Sequence, residues 1–144
     1  MSPLKKIISL LLIVLIFFSV SACNLLDDSV PKEKIVEFVM KHQDKLIECA
    51  QKGDFSEFEG LGIVKSVYES AGYTELYCGG KGLAGGSSYY CGFYYSPQDS
   101  KTAMWQGLAV RPEGKGFVYE EEDGDNRFYS EKIFDCFYFY EQSY

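Results

Sequence analysis

Between residues 32 and 78 the apolar positions change period from about 3.6 residues to two, and that change limits the architectures open to this chain. From Lys32 to Gln51, Ile35, Val39, Leu46 and Cys49 fall on one stripe, which Val36, Met40, Ile47 and Ala50 widen. Lys34, Glu37, Lys41, Asp44, Lys45 and Glu48 fall mainly on the other side, so the segment predicts one amphipathic helix with a broad buried face. Pro31 suits a first helical position, and Lys52-Gly53 reads as the helix end. Ile63 to Tyr68 then alternates, and Tyr73–Cys78, Tyr89–Tyr95, Thr102–Val110, Phe117–Glu122, Asn126–Glu131 and Cys136–Tyr140 read as further strands. The turns between most of them are too short for crossover helices, which makes the neighbours antiparallel. The expected fold is therefore α+β: one N-terminal amphipathic helix packed on an antiparallel meander sheet of about five to seven strands, within a single domain spanning residues 31–144.

A helix can cover only one face of such a sheet. The chain carries 12 Tyr, 11 Phe and one Trp, and the runs Tyr89-Tyr90, Phe93-Tyr94-Tyr95 and Phe137-Tyr138-Phe139-Tyr140 place many of them on strands. Some rings must build the core, and strands favour aromatics in any case. Tyrosine also combines an apolar body with a polar tip, which suits contact surfaces. Tyr90, Tyr94, Trp105, Tyr138 and Tyr140 are accordingly the candidate binding surface, on the sheet face the helix leaves open.

The N-terminus has a different character. Lys5 and Lys6 precede an apolar run from Ile7 to Phe18, and small residues follow at Ser19, Ser21 and Ala22. Charge, grease and small residues in that order form a secretory signal peptide, and the apolar stretch is short of the roughly 20 residues of a membrane span. Val20-Ser21-Ala22-Cys23 resembles the lipobox of bacterial lipoproteins. That resemblance implies removal of residues 1–22, diacylglyceryl (palmitate-type) modification of Cys23, and a short tether over residues 23–30. It implies a location on the extracytoplasmic face of the cell membrane, held by lipid. Two acyl chains suffice for stable anchoring where one gives marginal binding.

The full chain carries a formal charge of −7, and loss of Lys5 and Lys6 with the leader makes the remainder more acidic by two units. An acidic domain repels phosphate backbones, so no nucleic acid partner is expected. With Cys23 assigned to lipid, Cys49, Cys78, Cys91 and Cys136 remain, an even number in an exported chain, which predicts at least one disulfide. Of the three connectivities, Cys78–Cys91 with Cys49–Cys136 is preferred: the first would clamp neighbouring strands and the second would tie the helix to the last strand.

No motif reaches a biochemical activity. Gly80-Lys81-Gly82-Leu83-Ala84-Gly85 matches a dinucleotide fingerprint, but strand rather than helix follows it, and Gly82 stands where a phosphate loop needs Ser or Thr. The acidic turn Asp123-Gly124-Asp125-Asn126 offers oxygens to calcium but lacks the EF-hand pattern, because Arg127 and Phe128 occupy ligand and glycine positions. His42 is the only histidine, and Cys49 is seven helical residues away, a rise of about 10.5 Å, so the two cannot pair directly. No metal or other cofactor is expected. The reading that remains is a monomeric, non-enzymatic binding module for an envelope protein or glycan. Two alternatives stand beside it: an envelope hydrolase using carboxylates such as Glu57, Glu59 or Glu121, and an inhibitor or immunity-type lipoprotein with an acidic masking surface.

Overall fold

The computed structural model describes residues 27–82 and 88–144. The leader and Cys23 lie outside the described residues. Among the described residues no helix is long and apolar enough to cross a membrane.

The helical stretch is two helices, α1 (Lys32–Lys41) and α2 (Gln43–Lys52), instead of the single N-terminal one expected. His42 separates them with φ −105° and ψ 17°. Its N–H reaches the carbonyls of Phe38 and Val39 at 3.1 and 3.2 Å, and its own carbonyl accepts from Leu46 N–H at 2.9 Å. The apolar stripe runs through this one-residue break, so periodicity could not reveal it. The His42 ring lies 4.5 Å from Phe38 and 6.1 Å from Phe58, centroid to centroid. Gly53 ends α2 in the left-handed conformation at φ 69°, which a residue without Cβ adopts most cheaply.

The remaining chain forms one seven-stranded antiparallel sheet: β1 (Ser66–Ser70), β2 (Tyr73–Gly82), β3 (Ser88–Tyr95), β4 (Arg111–Glu113), β5 (Gly116–Glu120), β6 (Arg127–Phe134) and β7 (Phe137–Ser143). Its spatial order is β1-β2-β3-β7-β6-β5-β4. This is not one meander. Two short meanders meet where β3 pairs with β7, with Phe93 opposite Phe139. Residues 96–110 carry the chain from the sheet's centre to its far edge.

That crossing segment replaces the strand expected over Thr102–Val110. Its central part is a 3-10 turn, Ala103–Trp105. Trp105 N–H donates to the Thr102 carbonyl at 3.0 Å and Leu108 N–H to the Trp105 carbonyl at 3.2 Å. Gly107, at φ 85°, bends the chain immediately afterwards. Local bonds thus satisfy a backbone that would otherwise need a neighbouring strand.

Alternation sorts the strand residues onto two faces. On the first face, Leu76, Cys78, Cys91, Phe93, Phe137 and Phe139 share a buried cluster with Ile35, Val39, Leu46, Cys49, Phe55 and Phe58. On the second, Tyr94, Tyr138, Tyr140 and Phe128 cluster with Ala103 and Trp105 of the crossing segment. The domain therefore has two apolar layers, one on each side of the sheet.

The expected disulfides are corrected: Cys49, Cys78, Cys91 and Cys136 are free thiols. β2 and β3 are neighbours, but the register sets Cys91 opposite Gly79, across a bulge between Tyr77 and Gly79, so Cys78 is not its direct partner. Cys91 Sγ instead donates towards the Gly79 carbonyl at 3.2 Å. Cys49 Sγ donates to Glu57 Oε1 at 2.8 Å, while Cys136 occupies the β6–β7 turn at φ 66°.

Of the residues expected as tether, 23–30, those before Asp27 lie outside the described residues, and Asp27 and Asp28 contact the sheet. Asp27 bridges to Lys81. Asp28 N–H donates to the Gly80 carbonyl at 3.0 Å, and its Oδ1 accepts from Gly80 N–H at 2.8 Å. Its Oδ2 pairs with Lys65.

Candidate functional site

The second sheet face is made of tyrosine, and its two halves differ. In the register, Tyr68 lies opposite Glu75, Glu75 opposite Tyr94 and Tyr94 opposite Tyr138. The next row runs Tyr77, Gly92, Tyr140, and beyond it Gly80 faces Tyr90, which faces Gln142. Tyr68, Glu75, Tyr77, Tyr90, Tyr94, Tyr138, Tyr140 and Gln142 thus project from one side of four adjacent strands, β1, β2, β3 and β7.

The crossing segment covers the half around Tyr94 and Tyr138. These rings stack at 5.2 Å with only 10° between their planes. Tyr138 hydroxyl reaches Asp99 Oδ1 at 2.8 Å, Tyr94 hydroxyl reaches the Ser100 carbonyl at 3.4 Å, and Ser130 Oγ donates to the Lys101 carbonyl at 2.8 Å. Trp105 stacks on Phe128 at 5.5 Å. Four of the five expected surface aromatics are consequently core: Tyr94 and Tyr140 are fully buried, and Tyr138 and Trp105 nearly so. Burying an aromatic side chain removes about 150–250 Å² from water, which is why a loop that can cover such rings does so.

The other half stays open. Tyr90 is the one expected surface residue that is exposed, at 41 %, and Tyr68 and Tyr144 join it at 54 % and 43 %. With Tyr77, Glu75 and Gln142 they line a cleft of about 320 Å³. Tyr77 and Tyr90 rings stand 6.3 Å apart at 55°, and Tyr90 and Tyr144 rings 6.2 Å apart at 66°. Gly80 makes room for this convergence. A Cβ there would lie 3.2 Å from the Tyr90 ring, 3.1 Å from the Tyr77 hydroxyl and 2.3 Å from the Tyr89 carbonyl oxygen.

Glu75 is the charged group of the cleft. Gly92 lets the Tyr140 ring lie against the sheet, and the Tyr140 hydroxyl donates to Glu75 Oε1. Burial pushes the Glu75 carboxyl above the usual glutamate range, and the Tyr140 hydrogen bond offsets part of that shift. Burial, and then the Glu75 charge, push Tyr140 well above the ordinary phenol value. Tyr77 is pushed up to about 12, mainly by burial. Gln142 Oε1 accepts from the Tyr144 hydroxyl at 2.5 Å. Among the described residues no Lys, Arg or His forms an ion pair with Glu75, although twelve ion pairs occur elsewhere in the domain, from Lys32–Glu131 to Lys132–Asp135.

The other candidates do not converge. Glu57 is held by Lys45 at 2.8 Å and by the Cys49 thiol. Glu59 accepts the Val67 N–H at 2.6 Å beside β1, whereas Glu121 lies after β5 near the opposite edge of the sheet. Among the described residues no three His, Cys, Asp or Glu side chains come together as a metal site. A larger groove of about 560 Å³ between α2 and the β6–β7 turn is lined by Ile47, Ala50, Tyr95, Phe134 and Phe137 with Gln43, Gln51, Asp135 and Cys136. Its one carboxylate, Asp135, is almost wholly solvated, so it lacks the buried charge that distinguishes the tyrosine cleft.

Comparison of the chain with protein-family models, curated proteins and solved structures returned no significant match. The residues of the cleft that sequence reasoning missed are Tyr68, Glu75, Tyr77, Gln142 and Tyr144. One signal was present: Glu75 and Tyr77 share parity on a single strand, so a tyrosine and a carboxylate had to face the same way.

Proposed function

We propose that this chain is a membrane-anchored extracytoplasmic lipoprotein whose domain is a non-enzymatic binding module, engaging an envelope protein or glycan through the open tyrosine cleft. The observation that carries the binding assignment is the cleft itself: three exposed tyrosines and the half-buried Tyr77 gathered around a partly desolvated carboxylate. Clustered tyrosines of this kind are favoured at contact surfaces, because each offers rigid area and a polar tip. The lipobox-like Val20-Ser21-Ala22-Cys23 supports the anchor. On this reading α1 and α2 close the back of the sheet, the crossing segment closes half of the front, and the remaining front is left for a partner.

Crosslinking capture from intact cells tests the binding assignment. Tyr90→Ala and Tyr68→Ala should each reduce recovery of the envelope partner at least about tenfold, the scale of a hot-spot truncation. Undiminished recovery with both variants would refute it. Cys23→Ser tests the anchor. It should abolish the acyl mass increment and release the domain from the membrane fraction; an unaltered mass and distribution would count against lipidation.

A further inference from the structure

We propose that the Tyr68–Tyr77–Tyr90–Tyr144 cleft takes a quaternary or alkylated ammonium group, with the Glu75 carboxylate as its counter-ion. This inference rests on the reading of the cleft as the binding site and names the chemistry of its ligand.

Charge sets the sign of the ligand. Aromatic faces are negative, a carboxylate lies among them, and no cation of the described domain pairs with it. An anion would meet repulsion from the Glu75 carboxylate and from the ring faces. A cation supplies what the Glu75 carboxylate lacks, and the acidic chain, at −7 overall, favours its approach.

Shape separates a compact cation from a sugar. A pyranose stacks best on a flat aromatic platform. Here successive rings are turned by 55° and 66°, so they offer no flat platform of that kind. A space of about 320 Å³ lies at the small end of ligand sites and suits one head group.

Hydrogen bonding separates an alkylated ammonium from a primary one. A primary ammonium is strongly hydrated and brings three donors that must be satisfied. In the cleft, Glu75 Oε1 already accepts from Tyr140 and Gln142 Oε1 from Tyr144, so part of the acceptor capacity is taken, while Glu75 Oε2, with no donor among the described residues, stays open to face the charge. Each alkyl group added to an ammonium removes one donor, and a quaternary ammonium has no N–H and needs no acceptors. It presents methyl groups to the rings and its charge to the carboxylate, the arrangement in which cation–π attraction is strongest once water is excluded.

The test uses the full acylated chain in maltoside micelles, titrated calorimetrically with choline and with its neutral isostere 3,3-dimethylbutan-1-ol. Choline should bind at least tenfold more tightly than the isostere, and ethanolamine should bind more weakly than choline. Glu75→Gln, which keeps the shape and the acceptor for Tyr140, should cost at least tenfold in choline affinity. Tyr90→Leu, at an exposed position, should do the same. Equal affinity for choline and the isostere, or no choline binding at millimolar concentration, would overturn the inference, as would undiminished choline affinity in Glu75→Gln. If choline fails to bind while Tyr90→Ala still abolishes partner capture, the cation assignment falls and the cleft remains the binding site. Unaffected capture in the Tyr90→Ala and Tyr68→Ala variants would remove the cleft reading itself.

Discussion

The hydroxyl of Tyr138 lies 2.8 Å from Oδ1 of Asp99, joining the last strand to the crossing segment that buries half of the tyrosine face. The same Oδ1 accepts from Cys136 N–H at 2.9 Å, and Oδ2 accepts from Lys132 Nζ at 2.6 Å. Lys132, and then Tyr138, hold the Asp99 carboxyl below its usual range. Asp99 also stands at φ 51°, a conformation that Asn and Asp tolerate better than most residues. Asp99→Ala removes the acceptors and leaves Cβ strain, so it should lower unfolding free energy by about 2 kcal/mol. Asp99→Asn should cost less, since it keeps Oδ1 and the backbone tolerance. Urea denaturation followed by Trp105 fluorescence reads both; equal losses would show that the charge pair with Lys132 outweighs the shared geometry.

Gly92 is fixed by a close approach. A Cβ at this position would stand 2.4 Å from the Leu76 carbonyl oxygen and 2.9 Å from the Tyr140 ring. The carbonyl cannot retreat without disturbing the β2–β3 pairing, so relief must come from the backbone as well as the ring. Gly92→Ala should therefore destabilise by about 1–3 kcal/mol. A thermal melt unchanged from wild type would contradict this account of the sheet floor.

Glu75 makes stability depend on pH in a direction opposite to that of the carboxylates held low by partners, such as Asp28, Asp99 and Glu131. Its folded-state pKa is raised, so its favourable contribution is fully present below the unfolded glutamate value near 4.5 and is lost as pH rises through the folded value. Asp28, Asp99 and Glu131 are lowered, and their contribution is lost as pH falls through their folded values. Glu75→Gln leaves those three in place. The variant should melt higher than wild type at pH 7, and the advantage should shrink towards pH 3.5. A constant difference across that range would show that Glu75 is not desolvated.

The cysteines give a chemical check. Burial first, and then Glu57, push the Cys49 thiol up to about 12; burial also raises Cys78 and Cys91. These three thiols should react with a maleimide or disulfide reagent at pH 8 on the order of a hundredfold more slowly than in denaturant, because the thiolate is the nucleophile. Cys136, only partly covered, should react first. A mass deficit of two hydrogens per pair in the native protein would instead reveal a disulfide.

Local periodicity made the helical stripe, its Gly53 end and most strands legible, because each depends on neighbours close in sequence. The His42 break was hidden because Val39 and Leu46 stay on one stripe across it. The pairing of β3 with β7 was hidden for a different reason: any antiparallel edge accepts another, and only the fold decides which. The fate of Tyr94, Tyr138 and Tyr140 followed from that choice together with the crossing segment, whose Thr102–Val110 run has the composition of a strand but bonds to itself. Tyr90 alone of the expected surface survived. Its companions Tyr68, Glu75 and Tyr77 became visible only once the register set β1 beside β2.

The hold that β2 keeps on Asp27 and Asp28 governs how freely the body could move above a bilayer. With acyl chains on Cys23, as we propose, four residue steps would separate the lipid from Asp27, a reach of at most about 14 Å. So short a leash permits little tumbling. Because Gly80, the residue gripped by Asp28, sits directly across from Tyr90, the cleft would open close to the headgroup layer, and whatever enters it would come from a thin shell of solvent at the membrane surface.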